Sequence, residues 1–226
     1  MKRSIRIVAC LLLAPALALA QGVAPNLVKG SKSMLFSFNG LSNLGAGNFE
    51  GGVGVKYYYK AVLAFRAGLQ FSTLSEDIPA NPPAGVQGID GERSGTSFGV
   101  SAAAELHRGT GRVSAYFGGG LGFSTTSTES KSAVIGTASQ TVVKNRQAGE
   151  LGFLGGSSFN LFALAGVEFF IFKEVSLAAE YRLGFLKLSR ADQETTSGSQ
   201  TSTIKVGDRS GLGIDNSGVL TLAVYF

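Results

Sequence analysis

The chain has 226 residues, a formal net charge of +5, 32 glycines and 16 phenylalanines, and only 15% of its residues are charged. A soluble domain usually carries about 25% charged residues. Yet no segment after residue 20 approaches the ~18 unbroken apolar residues of a transmembrane helix. This composition disfavours both a soluble domain and a helical membrane protein. It leaves the β-barrel, the other structure that satisfies every backbone polar group in lipid.

The start of the chain predicts a cleaved secretory signal peptide, residues 1–20. Three basic residues precede an apolar run from Ile7, and small residues occupy the −3 and −1 positions of a cleavage site after Ala20. The run is too short for a membrane anchor. A lipoprotein box at Cys10 is rejected because too few residues precede it to form an apolar core. We therefore predict one domain, residues 21–226.

Removal of the signal changes both charge and cysteine content. Lys2, Arg3 and Arg6 leave with it, which lowers the formal charge from +5 to about +2, and Cys10 is the only cysteine. The remaining chain can then form neither a disulfide nor a cysteine-ligated metal site. It also has no basic stripe of the kind that indicates nucleic-acid binding.

Eight segments alternate apolar and mixed residues with a period of two, which predicts β-strands. Their ranges in chain order are 34–38, 49–59, 63–71, 98–106, 113–123, 159–169, 175–185 and 218–226. The last segment places Leu222, Val224 and Phe226 on one face. In water such an apolar terminal strand would be an aggregation-prone edge, whereas in a barrel it closes onto the first strand.

The connections between these segments alternate in length. Longer ones at 39–48, 72–95, 125–158 and 187–217 alternate with short turns near 60–61, 108–112 and 172–174. Outer-membrane barrels have long extracellular loops and short periplasmic turns, so this pattern predicts that both termini are periplasmic.

Aromatic residues fall at the two ends of the predicted strands. From Leu63 to Phe71 is about 20 Å at the usual strand rise and tilt, close to the ~25 Å apolar band of such barrels. The loop-end ring is Phe71, Phe98, Phe123, Phe159 and Phe185, and the turn-end ring is Tyr57, Tyr59, Phe169, Phe172 and Phe226.

The two strand faces differ in a way that selects a membrane barrel. One face is uniformly apolar, whereas the other carries Gly, Ser, Ala, Arg and Glu. A soluble lipocalin-like barrel would place the apolar face inside. The sequence therefore predicts an all-β fold, an eight-stranded antiparallel transmembrane up-and-down barrel with an apolar exterior.

Two stretches resemble a known family. Residues 166–182, Gly-Val-Glu-Phe-Phe-Ile-Phe-Lys-Glu-Val-Ser-Leu-Ala-Ala-Glu-Tyr-Arg, and the final Val-Tyr-Phe226 are similar to the OmpA-like and opacity-type eight-stranded barrels. The resemblance implies a Gram-negative outer membrane, contact with lipid and lipopolysaccharide, and recognition of Leu222, Val224 and Phe226 by the barrel-assembly machinery. It also implies a membrane-stabilising protein, an adhesin, a serum-resistance factor or a small porin-like pore. Because the chain ends with its last strand, we expect no peptidoglycan-binding domain after the barrel.

Six charged residues fall on inward positions of the predicted strands: Lys56, Arg66, Glu105, Glu168, Glu180 and Arg182. An eight-stranded barrel is just wide enough for side chains to fill it, and isolated buried charges are costly. We therefore predict a paired ion network that fills the lumen. The alternative is a gate, in which Arg66 or Arg182 exchanges carboxylate partners to open a narrow pore for small solutes.

Other motifs indicate no catalytic, cofactor or metal site. His107, the only histidine, adjoins the turn at 108–112 and is interpreted as a polar residue of the periplasmic rim, so we expect no enzyme. The glycines of 116–122 lack the helix and lysine of a phosphate-binding loop. The carboxylates of the second long loop lack the spacing of a calcium loop.

The long loops contain their own β-prone segments. Residues 132–144 read as two arms around 136–139, and residues 195–204 as a hairpin that turns at Gly198. If the barrel strands extend above the membrane, these segments would expose a sheet edge that could bind a protein or host-surface partner by strand addition. The alternative is a disordered polar fringe.

Overall fold

The computed structural model describes residues 27–39, 51–109, 111–145, 155–214 and 219–226. The predicted signal peptide, 1–20, and most of the first predicted loop lie outside these residues. The described part of the chain is all β and contains no helix that is long and apolar enough to cross a membrane. Its strands are β1 (Lys32–Asn39), β2 (Gly51–Lys60), β3 (Leu63–Ile78), β4 (Gly88–Ile89), β5 (Gly91–Arg108), β6 (Val113–Lys131), β7 (Val134–Ile135), β8 (Thr141–Lys144), β9 (Gly156–Phe170), β10 (Val175–Arg190), β11 (Gln193–Ser197), β12 (Gln200–Ile204), β13 (Arg209–Ile214) and β14 (Val219–Tyr225).

Eight of these strands close into an antiparallel barrel, as the sequence predicts. The order around the ring is β1, β2, β3, β5, β6, β9, β10 and β14, and β14 pairs back to β1. Strand β13 continues the last barrel strand on the loop side, because it pairs with the second half of β10. The ring therefore has no open edge along its central part.

The predicted inward and outward faces are observed. On β2, Val55 and Tyr57 are exposed on the outer surface, whereas Lys56 and Tyr58 are buried in the lumen. The outer ring at the loop end is also formed: Phe71 lies directly opposite Phe98, and Phe123 directly opposite Phe159. The outer surface consequently carries an apolar belt that ends at the loop side with these aromatic side chains, and Tyr57, Tyr59, Phe172 and Phe226 are exposed at the turn side.

Three of the predicted long loops are shorter than predicted, because the barrel strands extend into them and further strands form within them. β3 and β5 stay paired beyond Phe71 as far as Ile78 and Gly91, and β6 extends to Lys131. Above the apolar belt both faces of a strand meet water, so the apolar alternation stops while the backbone pairing continues. Polar contacts across the strands accompany the pairing there, such as Ser97 Oγ to Thr126 Oγ1 at 3.0 Å.

The β-prone loop segments form strands with partners that differ partly from the prediction. The strands within the two arms of 132–144 have other partners: β7 pairs with β4, and β8 pairs with β6 and β11. The arms themselves are joined at their base, where the Ser132 N–H donates to Thr141 O at 2.9 Å. The hairpin at 195–204 is observed as β11 and β12, and Gly198 has a φ of 60°. This positive φ at the first central position is that of a type II′ hairpin turn.

Candidate functional site

The structure brings all six predicted inward charges into one buried ion network. Glu105 lies at its centre, with Lys56 Nζ 3.1 Å from Oε2 and Arg66 Nη1 2.9 Å from Oε1. Arg66 and Glu105 are close ion partners without the angles of a hydrogen bond, since Oε1 of Glu105 has no hydrogen-bond donor among the described residues. Lys56 also donates to Glu168 Oε2 at 3.3 Å.

The second half of the network is built around Glu180. Arg66 donates to it through both terminal nitrogens, at 2.9 and 3.1 Å. Arg182 donates its Nε to the same carboxylate at 2.6 Å. A two-pronged guanidinium–carboxylate pair is a strong and orientation-specific contact, so Arg66 joins the two halves of the network.

The network has as many acidic as basic side chains. Three carboxylates face Lys56, Arg66 and Arg182, and the carboxylates of Glu105 and Glu168 have no exposure. Buried charges require such pairing, because an uncompensated one costs several kcal/mol. Strands from opposite sides of the barrel supply the partners, so the ion pairs fill the lumen at this level.

Three tyrosines and a histidine complete the network, and the sequence interpretation missed them. Tyr225 donates to Glu168 at 2.6 Å, and Tyr116 donates to Glu180 at 3.2 Å. The ring of Tyr58 lies 5.2 Å from that of His107. These residues occupy inward positions of the period-two pattern, so the same alternation that identified Lys56 could have identified them.

The interpretation of His107 as a rim residue was wrong, because its side chain points into the lumen and is buried. Its Nε2 is 3.0 Å from Glu105 and its Nδ1 is 3.2 Å from Ser114 Oγ. Its ring stacks on Tyr116 at a centroid distance of 5.1 Å. A serine, a histidine and a glutamate in contact in this sequence also occur in hydrolase triads. Here, however, Ser114 is only 8% exposed and Glu105 is paired with two cations. We interpret His107 as part of the structural network.

A glycine on β9 makes room for Tyr116. A Cβ atom on Gly166 would lie 2.5 Å from the Tyr116 ring and 2.7 Å from the backbone oxygen of Ala179. Only a residue without a side chain lets the ring lie flat against the strand at this point. Gly166 therefore fixes the position from which Tyr116 reaches Glu180.

A polar cavity lies next to the network, on its loop side. It has a volume of about 100 Å³ and is bordered by all eight barrel strands. Arg66 and Arg182 lie at its network end, and Ser37, Gln70 and Asn160 contribute to its walls. The lumen is therefore filled by ion pairs at one level and left open at the next.

The loop side of the molecule carries a sheet that projects from the barrel. The end of β6 pairs with β8, β8 with β11, and β11 with β12. All five residues of β12 are exposed, and β12 pairs on one side only among the described residues. At the base of this sheet Lys131 contacts Glu129 and Glu92, and the hydrogen bond to Glu129 raises the pKa of Lys131 above its ordinary value.

The residues of the predicted assembly signal lie on the outer surface of β14. Val224 is exposed, Leu222 is half-buried, and Phe226 is 75% exposed. The Phe226 backbone N–H donates to Lys32 O at 3.0 Å, which fastens the end of the chain to β1. The three side chains therefore form one outward row beside the point at which the barrel closes.

Fold and site together define a closed eight-stranded β-barrel with an apolar exterior and an ion-paired interior. No protein-family model and no curated protein matches the chain. Among solved structures it is similar to CarO from Acinetobacter baumannii, with 11% sequence identity and a TM-score of 0.31 over 90% of this chain and 99% of that one. Membership of the OmpA-like family stays a prediction.

Proposed function

We propose that the chain is an integral protein of the bacterial outer membrane whose loop-side sheet binds a partner at the cell surface. The apolar belt supports insertion into lipid, since large side chains such as Phe65, Leu121 and Tyr181 are about half exposed or more. A soluble protein rarely exposes an apolar surface of this extent. Both termini would then be periplasmic, the loop side would face lipopolysaccharide, and the outward row on β14 would be recognised during assembly.

One observation carries the surface-binding function: the open edge of β12. In a hairpin closed by a two-residue turn, the pair that flanks the turn is hydrogen-bonded, and the pairs then alternate. Ser197 and Gln200 flank the turn, so the backbone N–H groups of Thr201 and Thr203 point away from β11. Unpaired strand groups of this kind bind an extended peptide by adding a strand.

Proline substitution of the two outward amides tests this function. Thr201→Pro/Thr203→Pro removes both donors and leaves the hydrogen-bonded pairs with β11 in place. Cells that display the barrel should lose adhesion to host cells and matrix-coated surfaces when they carry this variant. The matched control is Thr201→Val/Thr203→Val, which keeps the amides and should adhere like the unmodified protein. Equal adhesion by the proline variant would reject strand addition at β12.

A narrow pore is the second candidate function, and the cavity beside the ion network favours it. If Arg182 leaves Glu180, the cavity could extend through the network towards the opposite end of the barrel. Single-channel conductance in a planar bilayer distinguishes the two functions. A sealed lumen predicts no discrete current steps. Steps whose size or frequency changes in Arg182→Ala would favour the pore over the surface-binding function.

A further inference from the structure

The cavity on the loop side of the ion network has the features of a binding site for a small solute. With about 100 Å³, it has space for several water molecules or for a ligand of a few heavy atoms. Hydroxyl and amide groups reach it from several strands, including Ser101 and Ser124 on β5 and β6. A lining with a few convergent polar groups is typical of small-ligand sites.

Arg182 has hydrogen-bonding capacity left on the side of the cavity. Its Nε is used by Glu180 at 2.6 Å, and its guanidinium lies 4.7 Å from the centre of the Phe162 ring. Its side chain is 25% exposed, whereas that of Glu180 is 1% exposed. The ring and the carboxylate hold the guanidinium in place, and its two terminal nitrogens have no partner among the described residues. A guanidinium held in this way presents a planar pair of donors that fits an oxyanion.

The charges around the cavity favour an anion over a cation. Two arginines line it, and its lining includes no carboxylate. Glu180 lies next to both arginines but is not part of the lining, and its carboxylate accepts hydrogen bonds from Arg66, Arg182 and Tyr116.

We propose that this cavity binds a small monocarboxylate through the terminal nitrogens of Arg182. The ion network is already balanced, so a monoanion adds one uncompensated charge, whereas a dianion such as hydrogen phosphate adds two at a higher cost. We expect a dissociation constant on the order of millimolar for a ligand of this size. The proposal does not depend on the surface-binding function of β12.

A titration of the refolded barrel with sodium acetate tests the proposal. Backbone amide shifts followed by NMR in detergent micelles should saturate and should cluster at lining residues such as Ser37, Ser101 and Asn160. Acetamide has the same shape without the charge, and it should cause no saturable shifts. Shifts that are distributed over the outer surface, or acetamide binding equal to acetate binding, would overturn the carboxylate site. So would phosphate binding as tight as acetate binding.

Two variants connect the binding to Arg182. Arg182→Lys keeps the positive charge but loses the planar pair of donors, and it should weaken acetate binding at least tenfold. Arg190→Lys, on the same strand but outside the cavity lining, is the matched control and should bind like the unmodified protein. Unchanged binding in Arg182→Lys would assign acetate to another site. If Arg182→Lys does not fold, the comparison of acetate with acetamide on the unmodified barrel still decides the proposal.

Discussion

Glu105 shows how strongly the charge balance of the lumen depends on one buried carboxylate. It has no exposure, and its contacts are with Lys56, Arg66 and His107. Lys56 has a second partner in Glu168, and Arg66 has one in Glu180. Loss of the Glu105 charge would nevertheless leave three cations facing two carboxylates in a space without bulk water.

Glu105→Gln should therefore destabilise the barrel strongly. Removal of one partner from a buried ion pair costs about 3–5 kcal/mol, because the other charge stays buried without compensation. The measurement is the free energy of unfolding from urea titrations in detergent micelles. The control is Glu76→Gln, whose carboxylate is 56% exposed and lies 3.7 Å from Arg93; it should cost less than about 1 kcal/mol. Similar losses for the two variants would contradict the compensation argument.

Prediction of the lumen residues succeeded for charged residues at inward positions of the strand alternation, and it failed for uncharged residues at such positions. Lys56 and Arg66 are polar residues on an otherwise apolar pattern, so the alternation places them inside. Tyr58 and Tyr225 also occupy inward positions, but they carry no charge, so a search for inward charges does not identify them. His107 was judged by its nearness to a turn, whereas its direction follows from its position on β5.

At the scale of strands, β6 and β9 approach each other where Tyr116 lies over Gly166. The two residues are direct partners in the antiparallel pairing. The flat contact lets the ring stack on His107 and hydrogen-bond to Glu180 at the same time. The packing of β6 against β9 and the position of Tyr116 in the ion network thus both depend on the absence of a side chain at Gly166.

Gly166→Ala should destabilise the barrel by about 1–3 kcal/mol, as forced overpacking does in other cores. The free energy of unfolding measures it, with Gly211→Ala as the control, because a Cβ on Gly211 would meet no atom within 4 Å. The cost should be smaller in a Tyr116→Ala background, since the ring is then absent. Additive losses in the double variant would show that Tyr116 is not the obstacle.

Strand number and order were predictable from the sequence, but strand length was not. Lipid imposes an apolar outer face, and this produces the alternation that identified eight segments. Beyond the belt, β3 continues through Ser75 and Glu76 with no face to bury, and it is held to β5 by backbone pairing and by polar contacts such as Ser75 Oγ to Glu92 Oε1 at 3.0 Å. Such pairing depends on the residues of a second strand, so a pattern read along one strand cannot reveal it.

At the scale of the molecule, the outer belt defines how deep the barrel sits in a bilayer. On β3 the outward residues Phe65, Leu69 and Phe71 are apolar and about half exposed or more. Thr73, two residues further on the same face, is polar and exposed. The change from Phe71 to Thr73 marks the loop-side limit of the belt.

Arginine substitutions along this face should report the depth. Ala67→Arg, near the middle of the belt, should cost about 2–4 kcal/mol in phospholipid vesicles, and Thr73→Arg about 0–1 kcal/mol. The measurement is reversible unfolding by urea from vesicles. A barrel that does not lie in the bilayer would show equal costs at the two positions, and this result would reject the proposed location.

The closure between β1 and β14 has a consequence for the order of folding. Each other contact of the ring joins barrel strands that follow one another in the chain, whereas Ser33 pairs with Tyr225. Neighbouring strands can form hairpins early, but the first and last must wait until the whole sheet has curved around, because distant segments meet at a larger entropic cost. We expect a late folding intermediate in which the sheet is still open. Until β1 pairs with β14, the free edges of both strands can pair with other chains.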